Sequence, residues 1–138
     1  MEIEFITQQW HLFLALIVII GLIVVDPAKR QLSGAKSITA IDVPRIMNHE
    51  SANVIDVSDA ADFKKGHIPN AKNFPLSNMA NDMVRLEKLK KHPIIVTCRM
   101  GQQSNKALAV LRKNNFEQLY SLKGGFAAWQ KENYPVEK

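Results

Sequence analysis

The hydrophobic positions of the chain form two patterns, one near the N-terminus and one in the rest of the sequence. Leu12 to Val25 is an unbroken run of apolar residues and one Gly, and Phe5 to Val25 contains no Asp, Glu, Lys or Arg. The 21 residues of that longer stretch predict a helix of about 31 Å, the thickness of a bilayer's hydrocarbon core. We expect Asp26-Pro27 to end the helix. Residues 1 to 26 are therefore predicted to form a transmembrane anchor.

Two other interpretations of the apolar run compete with an anchor. A core helix would be apolar on one face, whereas this run is apolar on every face. A cleavable signal peptide has a basic leader, but this leader carries Glu2 and Glu4 and no Lys or Arg. Ser33-Gly34-Ala35 is a poor cleavage site. A retained anchor is the interpretation that these features favour.

The flanking charges predict the orientation of the anchor. Lys29, Arg30 and Lys36 follow the predicted span, and no basic residue precedes it. Because basic flanks stay on the cytoplasmic side, we expect a single-pass protein of the inner membrane with its C-terminal domain in the cytoplasm. The single cysteine, Cys98, agrees with that compartment, since one cysteine excludes an intramolecular disulfide.

Beyond a polar linker, residues 27 to 36, short β-rich runs alternate with segments of helical spacing. The predicted strands are SITAI (37–41), NVIDV (53–57), KNFPL (72–76), PIIVT (93–97) and QLYSL (118–122), and the predicted helical segments include Val84-Leu86-Leu89 and Ala107-Leu108-Val110-Leu111. Strands that alternate with helices predict an α/β domain, residues 37 to 138, with a parallel sheet covered on both faces.

The charge of the chain lies almost entirely outside the apolar run. Residues 27 to 138 contain 18 basic and 10 acidic residues, a formal net charge of +8. A basic surface favours anionic partners, but the Lys and Arg are scattered, without the interleaved aromatic residues that stack on bases. We expect no nucleic-acid binding. With one cysteine, a Cys-rich zinc site is excluded as well, and we predict no metal.

Cys98 is the residue with the clearest chemical potential. It directly follows the predicted strand PIIVT, and ligands of open α/β sheets bind beyond the carboxyl ends of the strands. We expect Ser104 to cap the next helix and Gly101 to permit a tight turn, so that backbone N–H groups converge on the sulfur. Arg99 adds a positive charge, which would favour the nucleophilic thiolate. The competing interpretation is a buried cysteine that acts as a small hydrophobe.

Three separated motifs resemble a rhodanese domain in their order and spacing. They are DVSDAADFKKGHIPNAKNFPL (56–76), CRMGQQS (98–104) and LKGGFAAW (122–129). The similarity covers about residues 36 to 136, and it implies a five-stranded parallel sheet flanked by helices. It also implies that Cys98 accepts sulfane sulfur from thiosulfate or a thiol persulfide and passes it to a thiol or to cyanide.

The resemblance also implies which residues surround the sulfur. The expected substrate-binding loop is Arg99, Met100, Gly101, Gln102, Gln103 and Ser104. Many family members carry Arg where this chain has Ser58 and Gln103, so a protein persulfide or a small thiol persulfide becomes a plausible donor beside dianionic thiosulfate. No metal or organic cofactor is implied.

The remaining matching residues have structural interpretations. Asp56 ends a predicted strand, where it either orients the active loop or serves as a turn carboxylate. His67 is interpreted as a hydrogen-bonded structural histidine. Gly124-Gly125 predicts a turn, and Trp129 a core aromatic.

Two other functions compete with sulfur transfer. Phosphatases of the Cys-x5-Arg type clamp phosphate with an Arg, but Ser104 stands at that position and Thr97 precedes the cysteine. The stronger alternative is a membrane-tethered interaction module without catalysis, which the basic surface and anchor would suit. The presence of Cys98 and Arg99 in one loop argues against a pure scaffold.

Overall fold

The N-terminal unit of the chain, Met1–Leu32, is helical over most of the residues that the structure describes. In the computed structural model, which describes residues 2 to 32 and 35 to 138, helix α1 spans Glu2–Gln8 and helix α2 spans Trp10–Leu32. The side chains from Trp10 to Val24 are exposed on every face of α2. The even distribution of apolar side chains that the sequence shows is therefore also present in the folded helix.

The predicted limits of the N-terminal helix were wrong at both ends. A bend at Gln9 separates α1 from α2, and α2 continues through Asp26-Pro27 to Leu32. Proline removes one helical N–H, but its fixed φ is compatible with a helix. Within the described residues, no helix is both long enough and apolar enough to span a bilayer. The predicted transmembrane span is thus not supported.

The predicted linker, residues 27 to 36, is mostly regular structure. Residues 27 to 32 belong to α2, and Lys36 begins the first strand. Ser33 and Gly34, together with the side chains of residues 25 to 32, lie outside the described part of the chain. Lys29 and Arg30, on which the predicted orientation rests, are among those side chains.

The second unit, Ser33–Lys138, is built on a five-stranded sheet, as predicted. The strands are β1 Lys36–Ile38, β2 Asn53–Asp56, β3 Lys72–Asn73, β4 Ile94–Thr97 and β5 Leu119–Leu122. All neighbouring strands are parallel, in the order β1-β5-β4-β2-β3. The five predicted strands and the α/β rhodanese-like fold are confirmed, with strand ends that differ from the prediction by up to three residues.

Helices connect the strands and cover the sheet. They are α3 Asp42–His49, α4 Ala60–Lys65, a 3-10 turn Leu76–Asn78, α5 Met83–Glu87, α6 Ser104–Lys113 and α7 Gly125–Lys131. In β4, Ile94 and Val96 pack into one core with α5 and α6, whereas Ile95 packs into a second core with α3 and α7. This alternation follows from the pleat of a strand, and it explains why all four residues of β4 are buried.

The predicted helical spacing was confirmed in α6 and was wrong in part for α5. Ala107, Leu108 and Leu111 are buried along α6, as their spacing indicates. In contrast, α5 ends at Glu87, and Val84 is 73% exposed. A five-residue helix is too short for a periodic stripe to define a buried face reliably.

Candidate active site

Cys98 lies at the carboxyl end of β4 and is almost fully buried. Its Sγ accepts a hydrogen bond from the backbone N–H of Gly101 at 2.9 Å and one from the hydroxyl of Ser104 at 3.4 Å. Hydrogen bonds of this kind stabilise a sulfur atom that carries negative charge. The predicted position of Cys98 at the sheet edge is where the structure places it.

The loop after Cys98 turns back towards the sulfur at Gly101. The φ of Gly101 is +87°, a value that favours glycine, and this conformation directs its N–H at Sγ. Of the backbone amides from Arg99 to Gln103, the structure shows only that of Gly101 bonded to the sulfur. The sequence predicted a broader convergence of amides.

The start of α6 differs slightly from the prediction. Gln103 occupies the N-cap position without a side-chain cap, and Ser104 is the first helical residue. The hydroxyl of Ser104 is therefore free of the predicted capping role and reaches the sulfur instead.

The guanidinium of Arg99 is held by several tertiary contacts. Its Nη1 donates to the carbonyl of Gly66 at 2.8 Å, its Nη2 lies 3.5 Å from Oδ2 of Asp56, and its Nε lies 3.4 Å from Oγ of Ser58. The guanidinium also lies over the ring of Phe126, 4.7 Å from the centroid. These tertiary partners hold the guanidinium in place, and its positive charge faces the carboxylate of Asp56.

Asp56 closes the turn at the end of β2. The carboxylate is 1% exposed, and its Oδ1 accepts hydrogen bonds from the backbone N–H of Ser58 at 2.9 Å and from the Ser58 hydroxyl. Its Oδ2 faces Arg99. The two interpretations left open from the sequence are thus combined, since one oxygen caps the turn and the other orients the side chain of the active loop.

Helix α7 donates backbone hydrogen bonds to the active loop. The N–H of Phe126 donates to the carbonyl of Cys98 at 2.7 Å, and the N–H of Ala127 donates to the carbonyl of Arg99 at 3.0 Å. This approach requires Gly125, which has φ +61°; a Cβ there would lie 2.8 Å from the Gly101 nitrogen and still closer to the Cys98 carbonyl. The sequence indicated a turn at Gly124-Gly125 but not this contact.

His67 lies outside the site and is hydrogen-bonded, in agreement with the structural interpretation. Its Nδ1 is 2.8 Å from the carbonyl of Phe63, and its ring stacks on that of Phe63 with centroids 3.7 Å apart. Its Nε2 is 3.6 Å from Glu137, and the backbones of the two residues exchange hydrogen bonds. His67 thereby fixes the segment that contains Gly66, the acceptor for Arg99.

A cavity of about 180 Å³ opens over Cys98. It is lined by Ser58, Asp59, Asp62, Cys98, Arg99, Met100, Gln102 and Gln103. Four of the six predicted loop residues thus line the cavity, and the other two, Gly101 and Ser104, donate hydrogen bonds to the sulfur. Asp59 and Asp62 were not predicted as site residues. Among the described residues, no group of His, Cys, Asp or Glu is arranged to hold a metal ion.

Comparison with known proteins agrees with this architecture. Residues 39–132 match the family model described as "Rhodanese-like domain". The chain belongs to the rhodanese-like family. It is 35% identical over 134 residues to YibN of Escherichia coli K12, an uncharacterized protein, covering 96% of this chain and 94% of YibN.

Other members of the rhodanese-like family match the domain alone. The thiosulfate sulfurtransferase GlpE of Pseudoalteromonas translucida is 33% identical over 95 residues, which is 69% of this chain and 89% of GlpE. The solution structure of a rhodanese-like domain from an Anabaena protein superposes with a TM-score of 0.65 at 28% identity, covering 73% of this chain and 77% of that one.

We predict that Gly125→Ala will disturb the active loop. The added methyl group would collide with the Cys98 carbonyl, so that the loop or α7 must move. We expect a loss of about 1–3 kcal/mol of stability and a changed rate of Cys98 alkylation, measured by thermal unfolding and by mass spectrometry. Gly21→Ala, which meets nothing within 4 Å, is the control. Equal stability and equal alkylation of both variants would contradict the proposed support by α7.

Proposed function

We propose that the protein moves sulfane sulfur through a persulfide on Cys98, from thiosulfate or a thiol persulfide to a thiol or cyanide. The observation that carries the proposal is the position of Cys98, at the base of an open cavity with Gly101 N–H and Ser104 O–H directed at Sγ. Membership of the rhodanese-like family, with thiosulfate sulfurtransferases among the relatives, supports the same chemistry.

The proposed reaction has two displacement steps. The Cys98 thiolate attacks the outer sulfur of the donor, an S–S bond forms, and the donor's own S–S bond breaks. With thiosulfate the leaving group is sulfite, and with a thiol persulfide it is a thiolate. The acceptor then attacks the outer sulfur on Cys98, which releases the Cys98 thiolate and yields thiocyanate from cyanide or a new persulfide from a thiol.

The loop's contribution is to stabilise anionic sulfur. Both the thiolate and the persulfide are negatively charged nucleophiles, and hydrogen bonds to charged groups are stronger than those between neutral groups. Gly101 supplies a fixed backbone donor, and Ser104 supplies a hydroxyl that is itself fully buried. Because the hydroxyl can rotate, it can follow the charge as the sulfur changes from thiolate to persulfide.

We predict that Cys98→Ser abolishes sulfur transfer and that Ser104→Ala slows it. Loss of one hydrogen bond to a charged sulfur should lower the rate about tenfold. Ser77→Ala, a matched substitution on the exposed 3-10 turn, should leave the rate unchanged. The measurement is the rate of sulfur transfer to cyanide and to a small thiol, with circular dichroism to verify folding.

Transfer that survives Cys98→Ser would contradict the assignment of the nucleophile. A folded wild-type protein that transfers sulfur from neither thiosulfate nor a small persulfide would instead favour the interaction module without catalysis.

We also propose that residues 5 to 25 attach the domain to the inner membrane, with the domain in the cytoplasm. The proposal is supported by the apolar side chains that α2 exposes on all sides from Leu12 to Val24, since exposed apolar patches of this extent mark interaction or membrane surfaces. The basic residues that follow, Lys29, Arg30 and Lys36, favour the cytoplasmic face.

Placing charges on α2 should release the protein from membranes. We predict that Ile17→Lys together with Ile20→Lys moves the protein from the membrane fraction to the soluble fraction of cells, because burying a charged lysine against lipid costs free energy that burying isoleucine does not. Val84→Lys, a change at an exposed residue of the second unit, should have no effect. Wild-type protein that is recovered wholly in the soluble fraction would contradict the attachment.

A further inference from the structure

Two carboxylates, those of Asp59 and Asp62, belong to residues that line the cavity over Cys98. Asp59 is the N-cap residue of α4, without a side-chain cap hydrogen bond, and Asp62 lies in the first turn of that helix. The remaining polar lining residues apart from Arg99 are neutral, namely Ser58, Gln102 and Gln103. The charge that a bound molecule meets in this cavity therefore depends on the two carboxylates, on Arg99 and on the thiolate of Cys98.

The positive charge of Arg99 is already matched inside the protein. Its guanidinium lies 3.5 Å from the buried carboxylate of Asp56 and donates to the carbonyl of Gly66. Lys65 lies 3.7 Å from Asp62, but its side chain is 79% exposed, and such solvent-exposed ion pairs are weak. Arg99 is therefore already paired with Asp56, and Lys65, in an ion pair whose carboxylate is itself 43% exposed, offsets the charge of Asp62 only in part.

We infer that Asp59 and Asp62 make the site selective for sulfur donors that carry a positive charge close to the sulfane sulfur, such as aminothiol persulfides, over anionic donors such as thiosulfate. This inference rests on the proposed function, because it names the substrate class that loads Cys98. Thiosulfate brings two negative charges to a cavity that already holds an acidic rim, whereas an ammonium group is attracted by both carboxylates.

The size of the cavity fits a small donor. Its volume of about 180 Å³ is below the roughly 300–1,000 Å³ of sites for drug-sized ligands. A short aminoalkyl chain would place its ammonium group near the rim while its terminal sulfur faces Cys98. Met100, 71% exposed at the mouth of the cavity, offers an apolar contact for the methylene groups between them.

An aminoalkyl persulfide loads Cys98 by the same displacement as other donors. The Cys98 thiolate attacks the terminal sulfur of the aminoalkyl persulfide, the new Sγ–S bond forms, and the donor's S–S bond breaks. The proton of the terminal sulfur stays on it, and the donor leaves as an aminoalkyl thiolate. The ammonium group takes no part in bond making, and its role is binding and orientation.

The experiment compares three donors that share a two-carbon chain and carry a positive, a neutral or a negative end group: 2-aminoethyl, 2-hydroxyethyl and 2-sulfoethyl persulfide. The second-order rate constant for loading Cys98 of the full-length protein is measured by quenched-flow mass spectrometry. Each constant is divided by that for the same donor with free 2-mercaptoethanol, which removes the intrinsic reactivity of the donor. The proteins are wild type, Asp59→Asn, Asp62→Asn, the double variant, and Glu117→Gln.

Glu117→Gln is the matched control. It removes one acidic charge from an exposed residue just before β5, at the opposite end of the parallel strands from Cys98. Thermal unfolding of every variant verifies that Asn at positions 59 and 62 leaves the domain folded.

We expect wild type and Glu117→Gln to favour the aminoethyl over the sulfoethyl donor by about tenfold at low salt, and by less at 0.5 M salt, where exposed charges are screened. Each single variant should lose part of the preference, and the double variant most of it. Rates for the hydroxyethyl donor should change little.

Two results would overturn the inference, and they differ in what they say about the proposed function. If all three donors load Cys98 and the double variant keeps the wild-type preference, or wild type shows none, the carboxylates do not select the donor, and persulfide transfer through Cys98 still stands. If no donor loads Cys98 of the folded wild-type protein, the proposed function fails, and the inference that rests on it fails too.

Discussion

The side chain of Arg99 is the constraint on which the geometry of the site depends. Its guanidinium joins the end of β2, through Asp56, to the carbonyl of Gly66 and the ring of Phe126 on α7. Removal of the Arg99 side chain would leave the buried carboxylate of Asp56 without its cationic partner, which is strongly destabilising. The backbone of the active loop is also held by the N–H groups of Phe126 and Ala127, which donate to the carbonyls of Cys98 and Arg99.

The contacts of Arg99 bear on which groups stabilise the sulfur of Cys98. Because the guanidinium serves the framework, the sulfur of Cys98 is stabilised by uncharged donors, the N–H of Gly101 and the hydroxyl of Ser104. The surroundings of the cavity then carry the acidic charge of Asp59 and Asp62. On our proposal, such a site stabilises a small anion on its own cysteine and selects against a free dianion such as thiosulfate.

Local patterns in the sequence predicted the strands and the place of Cys98 well. The buried run of β4 and the helical spacing of α6 are local properties, and the carboxyl edge of a parallel sheet follows from them. The direction of Arg99 was not predictable, because its partners Gly66 and Asp56 lie 33 and 43 residues away along the chain. The contact at Gly125 likewise depends on packing between distant elements, whereas Val84 is exposed because α5 is too short for its spacing to define a buried face. At the N-terminus, Pro27 indicated a helix end that the fold does not adopt.

The central claim is that Cys98 holds sulfur as a persulfide, and the intact mass of the full-length protein tests it most directly. The protein is treated with a small thiol persulfide, freed of excess donor, and weighed with and without a reductant, beside Cys98→Ser. The account predicts a gain of one sulfur atom on the wild-type protein alone, and the reductant should remove it. A wild-type mass that does not change, or an equal gain on Cys98→Ser, would contradict the account.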